Sequence, residues 1–134
     1  MVNTNKTIFY RAINKDYELD SILDELSPHL AYYLIKYKTS NHKLPVETGR
    51  WHNIPFNDRK CPKCSTQIGD EYHYLFECPE FIEARKQYIK PYYRRHPNMN
   101  KAIKLFQSKN TKLIRNLCLM IKQIIMTFNQ ATLS

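Results

Sequence analysis

The chain has 134 residues, which suits a single domain, and hydrophobic residues make up 43% of it, enough for a modest core. This composition excludes an intrinsically disordered chain. The longest apolar segment, residues 117–128, is too short for a membrane span and is interrupted by Lys122 and Gln123. The polar amino-terminal stretch has no signal-peptide pattern, so we expect an intracellular protein, nuclear or cytoplasmic, without membrane contact.

The formal net charge of +9 is unevenly distributed along the chain. Residues 36–63 carry seven Lys or Arg and two acidic residues, and residues 85–134 carry eleven and none. Residues 64–84 between them have five acidic residues and no Lys or Arg. Charge of this kind can simply keep helical surfaces soluble, but the asymmetry favours a nucleic-acid partner over an anionic membrane surface.

Helix signals dominate the amino-terminal part of the chain. Near-helical spacing predicts a first helix that contains Tyr17, Leu19, Ile22, Leu23 and Leu26. Ser27 followed by Pro28 is typical of an N-cap and a first helical position, so a second helix is expected to run to about Tyr37. Residues 39–60 hold Pro45, Gly49 and Pro55, and we expect an ordered basic loop there.

Helices are also expected after the cysteine-rich centre. Pro79 can start a helix to about Tyr93, with Pro91 as a kink or an end. A short helix is predicted after the break at Pro97-Asn98, and Asn110-Thr111 can cap a final long helix. The apolar face of that helix is interpreted as core rather than as a partner-binding face; it comprises Leu113, Leu117, Met120 or Ile121, Ile124 and Phe128.

The sequence therefore predicts a mostly α fold, a small helical domain organised around a central zinc-knuckle loop. Its expected parts are helices in residues 1–38, the basic loop 39–60, the knuckle 61–78 and carboxy-terminal helices in residues 79–130. All lie in a single domain.

The knuckle is predicted from the spacing Cys61-x2-Cys64-x8-His73-x4-Cys78. Zinc takes four such ligands in a tetrahedron, with bonds of ~2.3 Å to sulfur and ~2.0 Å to imidazole nitrogen. The Gly69-Asp70 pair forms a natural turn, and Asp70 can cap a short helix that bears His73. A full set of four ligands (a Cys-Cys-His-Cys, or CCHC, knuckle) leaves no open position, so the site is expected to be structural and the protein is not expected to be an enzyme.

Other interpretations of the cysteines fit less well. Disulfides would need Cys118 and an oxidising compartment, and a redox dithiol at Cys61 and Cys64 has no thioredoxin-like pattern around it. His42 or His52 remains open as a substitute for His73. Cys118 itself is interpreted as a small core residue.

The cluster and the loop before it resemble a known segment. It is the zinc-binding segment that follows the polymerase domain in LINE-type (non-LTR) retrotransposon reverse transcriptases. The matching positions are Asn41, His42, Leu44, Glu47, Gly49, Arg50, Trp51, Pro55, Arg59, Cys61, Cys64, Glu71, His73, Leu75 and Cys78. They cover roughly residues 36–80 and agree in order and spacing.

The resemblance implies binding of template RNA or target DNA, with a reverse transcriptase core as a further conceivable partner. The paired aspartates of a polymerase are missing from this chain, so the resemblance implies no polymerase activity of its own. The chain looks like the terminal piece of such an element, as a fragment or as a domesticated relative.

Nucleic-acid contacts require basic side chains for phosphates and aromatic or guanidinium planes for bases. The candidates are Lys36, Lys38, Lys43, Arg50, Trp51, Arg59, Lys60, Lys63, Lys90, Arg94 and Arg95. Their mixture suits single strands with weak specificity. For Trp51 the alternative is a core anchor against the zinc loop, for Arg50 an ion pair with Glu47, and Glu71 is expected to hydrogen-bond within the knuckle.

We consider three functional hypotheses for this sequence. The leading one is a zinc-containing nucleic-acid-binding module, and the second is an interaction scaffold that docks onto a reverse transcriptase or another partner. An exposed apolar stripe on residues 113–128 would favour the scaffold. A zinc hydrolase would need an open ligand position, which four protein ligands do not leave.

Overall fold

The computed structural model describes residues 24–131, and within them the chain is mostly α-helical, as predicted. The first predicted helix, apart from Leu26, lies outside the described residues. No strand occurs between residues 24 and 131. Seven α-helices follow in chain order, with 3₁₀ turns at Phe56–Asp58 and Pro79–Phe81: α1 (Pro28–Lys38), α2 (Pro45–Trp51), α3 (Glu71–Phe76), α4 (Ile82–Tyr88), α5 (Pro91–Arg94), α6 (Met99–Phe106) and α7 (Thr111–Ala131).

Side chains cap the amino-terminal ends of α1, α6 and α7, and the caps at Ser27 and Asn110 are as predicted. Ser27 Oγ accepts a hydrogen bond from the Leu30 N–H at the start of α1. Asn98 Oδ1 accepts from the Lys101 N–H before α6, and Asn110 Oδ1 accepts from the Leu113 N–H before α7. Each cap satisfies a backbone donor that has no partner within its helix.

The long helix α7 is the centre of the core. It packs chiefly against α1 and also against α4 and α3. The predicted apolar stripe is buried, which confirms it as core, and Cys118 is buried with it: Leu113, Ile114, Leu117, Cys118, Met120, Ile121, Ile124, Ile125 and Phe128. Burial of this stripe removes apolar surface from water and supplies the main stabilisation of the fold. No helix in residues 24–131 is both long and apolar enough to cross a membrane.

The loop predicted for residues 39–60 is wrong for its middle part, which forms α2 and a 3₁₀ turn. Pro45 occupies the first turn of α2, where proline starts a helix rather than breaking it. Gly49 leaves room for the Arg59 side chain, because a Cβ at this position would lie 2.5 Å from Arg59 Cγ. The helix closes with the Ile54 N–H donating to the Gly49 carbonyl, and Asn53 takes a φ of 58° as a left-handed cap.

The single helix predicted from Pro79 to about Tyr93 is divided into a 3₁₀ turn, α4 and α5. The division falls before Pro91, because a residue that precedes proline is forced out of the helical region. Lys90 accordingly has an extended backbone, with φ −63° and ψ 150°. Pro91 then opens the short helix α5, so it ends one helix and begins the next.

Candidate functional site

A short hairpin presents the first two cysteines. The Cys61 N–H donates to the Gln67 carbonyl and the Gly69 N–H donates to the Arg59 carbonyl, so residues 59–61 pair with residues 67–69. At the tip the Ser65 N–H donates to the Cys61 carbonyl, and Ser65 adopts a φ of 64°. This turn places Cys61 and Cys64 on the same side of the hairpin tip.

The third and fourth predicted ligands come from α3 and its end. Asp70 caps this helix as predicted, because its Oδ1 accepts from the His73 N–H at 2.9 Å. After α3 the Cys78 N–H donates to the His73 carbonyl at 2.8 Å. The sharp exit from the helix brings the Cys78 side chain back toward the hairpin.

The donor atoms of these residues converge. Those of Cys61, Cys64 and His73 all lie within 4.8 Å of one another, close enough to hold a metal ion. His73 faces the site through Nε2, which is 3.5 Å from the sulfur of Cys64. Cys78 is outside this set of three, but its sulfur contacts that of Cys61 at 3.8 Å.

Two of the separations agree with the edges of a tetrahedral metal centre. Bonds of ~2.3 Å to sulfur and ~2.0 Å to nitrogen give tetrahedral edges of ~3.8 Å between two sulfurs and ~3.5 Å between sulfur and nitrogen. The Cys61–Cys78 and Cys64–His73 separations agree with these edges. Thiol and imidazole groups such as those of Cys61, Cys64 and His73 are donors that zinc prefers.

Neighbouring groups orient the donors. Glu77 Oε1 lies 3.3 Å from His73 Nδ1, which leaves Nε2 directed at the cysteines. Metal-binding histidines commonly have such a carboxylate partner. The Lys63 N–H donates to the Cys61 sulfur and the Thr66 hydroxyl donates to the Cys64 sulfur. The sequence analysis did not predict a role for Glu77, although its position four residues after His73, about one helical turn later, was a usable signal.

Protonation of the donors responds to burial and to hydrogen bonds. Burial raises the pKa of Cys78 to about 11 and lowers the pKa of His73, which favours the neutral imidazole that binds metals. The pKa of Cys64 is lowered, chiefly by a hydrogen bond from the backbone of Thr66.

Neither alternative histidine belongs to the cluster. Nε2 of His42 lies 2.6 Å from Glu71 Oε2, and its Nδ1 accepts from the Leu44 N–H, so both ring nitrogens are occupied. His52 is exposed and is not among the clustered donors of the described residues. The substitution of either for His73 is therefore wrong.

The carboxylate of Glu71 joins three parts of the chain. Its Oε2 accepts from the Ser40 hydroxyl at 3.0 Å as well as from His42. The Tyr37 hydroxyl donates to the Glu71 carbonyl at 2.7 Å. The expectation that Glu71 bonds within the knuckle is therefore wrong, because its partners lie on α1 and in the segment that follows α1. The result is a buried polar link between α1 and the helix that carries His73.

Several residues of the matching pattern maintain local structure. Glu47 is buried and accepts two hydrogen bonds from the Arg50 guanidinium, at 3.2 and 2.9 Å, so the predicted ion pair is confirmed. Arg59 donates to the carbonyls of Ile54 and Val46 and thereby ties the 3₁₀ turn to α2. Arg50 and Arg59 thus have intramolecular partners, which reduces their availability as phosphate contacts.

The remaining predicted nucleic-acid contacts differ in exposure. Trp51 is 50% exposed at the end of α2, so its interpretation as a core anchor is wrong. Lys36 is partly buried and lies over the Tyr32 ring. Lys38 and Arg94 are also partly buried, whereas the other candidates are exposed: Lys43, Lys60, Lys63, Lys90 and Arg95.

One basic residue near this set was missed. Lys101 Nζ lies 4.9 Å above the ring of Tyr92, which is itself exposed, and donates to the carbonyls of Arg95 and His96. The turn between α5 and α6 creates this contact across nine residues. No local pattern in the sequence indicates it.

Comparison with known proteins adds no relative, since no family model, curated protein or solved structure matches the chain. The function of the chain therefore has to be inferred from the geometry of its own residues.

Loss of the His42 side chain should destabilise the protein strongly. His42→Ala leaves the buried Glu71 carboxylate with only the Ser40 hydroxyl, so we expect the free energy of unfolding to fall by about 2–4 kcal/mol. Urea denaturation followed by circular dichroism measures this change. Glu80→Ala, at an exposed position, is the control and should change stability by less than about 0.5 kcal/mol.

The double variant His42→Ala/Glu71→Ala distinguishes the loss of this contact from the effect of the cavity that a missing side chain leaves. Because the two side chains form one contact, the double variant should cost clearly less than the sum of the single variants. Strictly additive costs, or a His42→Ala variant as stable as wild type, would contradict the assigned link.

Proposed function

We propose that this protein is a zinc-stabilised nucleic-acid-binding module of the kind found after the polymerase domain of non-LTR reverse transcriptases. It has no polymerase activity in this proposal. The observation that carries it is the convergence of Cys61, Cys64 and His73, with Cys78 in contact with Cys61. The hairpin and α3 would be joined by the ion at this point.

The proposed role of zinc is structural. With Cys78 as the fourth ligand the coordination is complete and leaves no position for water or substrate. The surrounding segment has little regular structure of its own: α3 has six residues, and the hairpin has a single bridge between Lys60 and Ile68. Metal binding would then contribute directly to folding, on the order of 10 kcal/mol in small zinc-binding peptides.

The nucleic-acid role is supported by charge and by one exposed aromatic side chain. Trp51 is flanked in sequence by Arg50 and His52, and Ile54 beside it is also exposed. Lys60 and Lys63 extend from the neighbouring hairpin into solvent. Such a mixture of cations and an aromatic face suits a single strand, whose unpaired bases stack and whose phosphates attract lysine. Sequence specificity is expected to be weak because no groove-reading element is present in the described residues.

The contacts made by the matching residues support the family resemblance. Gly49 accommodates Arg59, Glu47 holds Arg50, and His42 holds Glu71. These contacts stabilise the segment that leads into the knuckle. The proposal assigns these matching positions a structural role, and their contacts support that role.

The scaffold alternative has less support. The apolar face of α7 that would have served for docking is buried within the protein. The exposed large apolar side chains of the described residues are spread over several elements: Tyr32 and Ile35 on α1, Trp51 and Ile54 at and after the end of α2, Ile82 on α4, Tyr92 on α5 and Met126 on α7. No one of these elements exposes more than two such side chains, which is far less than the area of a stable protein interface.

Removal of zinc should unfold the middle of the domain. We expect one zinc ion per chain, and chelation with EDTA should lower the helical circular dichroism signal and change the fluorescence of Trp51, the only tryptophan. Cys64→Ser should lower zinc occupancy and thermal stability in the same way.

Cys118→Ser is the matched control, because Cys118 is buried in the α7 core away from the cluster. This variant should retain full zinc occupancy, whatever its effect on stability. Unchanged circular dichroism and fluorescence after chelation, or equal zinc loss in both cysteine variants, would count against the zinc assignment.

Binding of single-stranded RNA or DNA should be salt-dependent. The logarithm of affinity should fall with the logarithm of salt concentration with a slope of about −0.7 for each neutralised phosphate, and Lys60→Gln with Lys63→Gln should make the slope shallower. Trp51→Ala should weaken binding by about 5- to 100-fold through loss of base stacking. Fluorescence anisotropy with labelled 12-nucleotide strands measures both effects.

Met126→Ala is the control for Trp51→Ala, since Met126 is an exposed apolar residue on α7. It should bind nucleic acid as wild type does. If no strand, single or double, RNA or DNA, binds with salt-sensitive affinity in the micromolar range, the nucleic-acid proposal fails.

A further inference from the structure

A second basic feature lies where α4 and α5 meet the end of α3, and Arg94 is the predicted contact residue that it includes. It is a depression of about 180 Å³ lined by Phe76, Ile82, Arg85, Lys86 and Arg94. Three of the five lining side chains carry positive charge, and none carries negative charge. The two others, Phe76 and Ile82, form an apolar wall.

Arg85 is the fixed cation of this depression. Its Nε donates to the Leu75 carbonyl at 2.7 Å, and its Nη2 donates to the carbonyls of Tyr74 and Cys78 at 3.1 and 3.0 Å. The residue is only 6% exposed. These bonds hold a buried guanidinium in one orientation at the end of α3, so its charge is preorganised.

The other two cations are less constrained. Arg94 donates from Nε to the Ile89 carbonyl at 3.1 Å, which turns its side chain back toward α4. Lys86 is 56% exposed, and its ion contact is with Glu83 at 3.7 Å. Glu83 is 84% exposed, so water screens this pair and it costs little to separate. The Glu77 carboxylate is directed at His73.

We propose that this depression, here called the Arg85 pocket, binds a phosphate group. Three cations that line one depression suit an anion with several oxygens, and guanidinium groups are especially suited to phosphate. The volume is below the ~300 Å³ at which pockets for whole small ligands begin, so it fits a phosphate with part of its sugar against Phe76 and Ile82. Binding of inorganic phosphate by this pocket does not depend on the proposed function. The inference rests on the proposed function only if the phosphate belongs to a nucleic-acid strand.

Titration with inorganic phosphate tests the pocket alone. Isothermal calorimetry at constant ionic strength, with chloride as the replaced anion, should show saturable binding to the wild-type protein. The double variant Lys86→Gln/Arg94→Gln should bind at least about tenfold more weakly, because it loses two charged donors. Arg85 is left unchanged, since its bonds to three backbone carbonyls serve the fold.

The matched control removes the same charge elsewhere. Lys112→Gln/Arg115→Gln changes two exposed residues of α7 and lowers the net charge equally. It should bind phosphate as wild type does. Circular dichroism should verify that both double variants are folded. Equal phosphate binding by wild type and by Lys86→Gln/Arg94→Gln, or an equal loss in the control, would overturn the proposal.

Trinucleotides with a 5′-phosphate or a 5′-hydroxyl distinguish the sources of the phosphate. Competition with inorganic phosphate by both forms equally would assign an internal phosphodiester, and competition by the phosphorylated form alone would assign a strand end. If inorganic phosphate binds but neither trinucleotide competes, the pocket stands as a site for free phosphate, and the longer strands test the proposed function separately. If strands bind with no effect of Lys86→Gln/Arg94→Gln and phosphate does not bind, the pocket fails and the proposed function stands.

Discussion

The structure depends on how the six-residue helix α3 is held in place. A helix of this length is not stable alone in water, so its contacts with other parts of the chain must maintain it. Five of its six residues are buried. Glu71 contacts His42 and Ser40, His73 contacts Cys64, and Tyr74 packs edge-on against Phe81 and Phe128. Nearly every side of this short element therefore meets a different segment of the protein.

This arrangement makes α3 the junction between the helical core and the hairpin. Arg85 secures its carboxy-terminal end through backbone carbonyls, and Asp70 secures its amino-terminal end. A metal ion between the hairpin and His73 would complete the set. In the proposed function the knuckle is an internal support, and the residues that contact nucleic acid lie around it, at Trp51 and on the exposed lysines. The acidic charge of residues 64–84 is consistent with this proposal, because that segment would repel a nucleic-acid strand whereas the basic segments would attract it.

Local features of this fold could be predicted from the sequence, and distant ones could not. The caps formed by Ser27, Asp70, Asn98 and Asn110 act over three residues, so the chain shows them directly. The clustering of Cys61, Cys64 and His73 could likewise be predicted from their spacing. By contrast, α2 depends on contacts such as the Val46 N–H to the Gly69 carbonyl, and local proline and glycine signals pointed to a loop. The partners of Glu71 and Arg85 are also remote in sequence or lie on the backbone, where no side-chain pattern reveals them.

The central claim is that three thiolates and one imidazole hold a zinc ion between the hairpin and α3. X-ray absorption at the zinc edge measures this coordination directly on the purified protein. We expect three sulfur ligands at ~2.3 Å and one nitrogen ligand at ~2.0 Å, without oxygen from water. A protein that purifies without zinc and takes up none, or a zinc shell dominated by oxygen and nitrogen, would contradict the account.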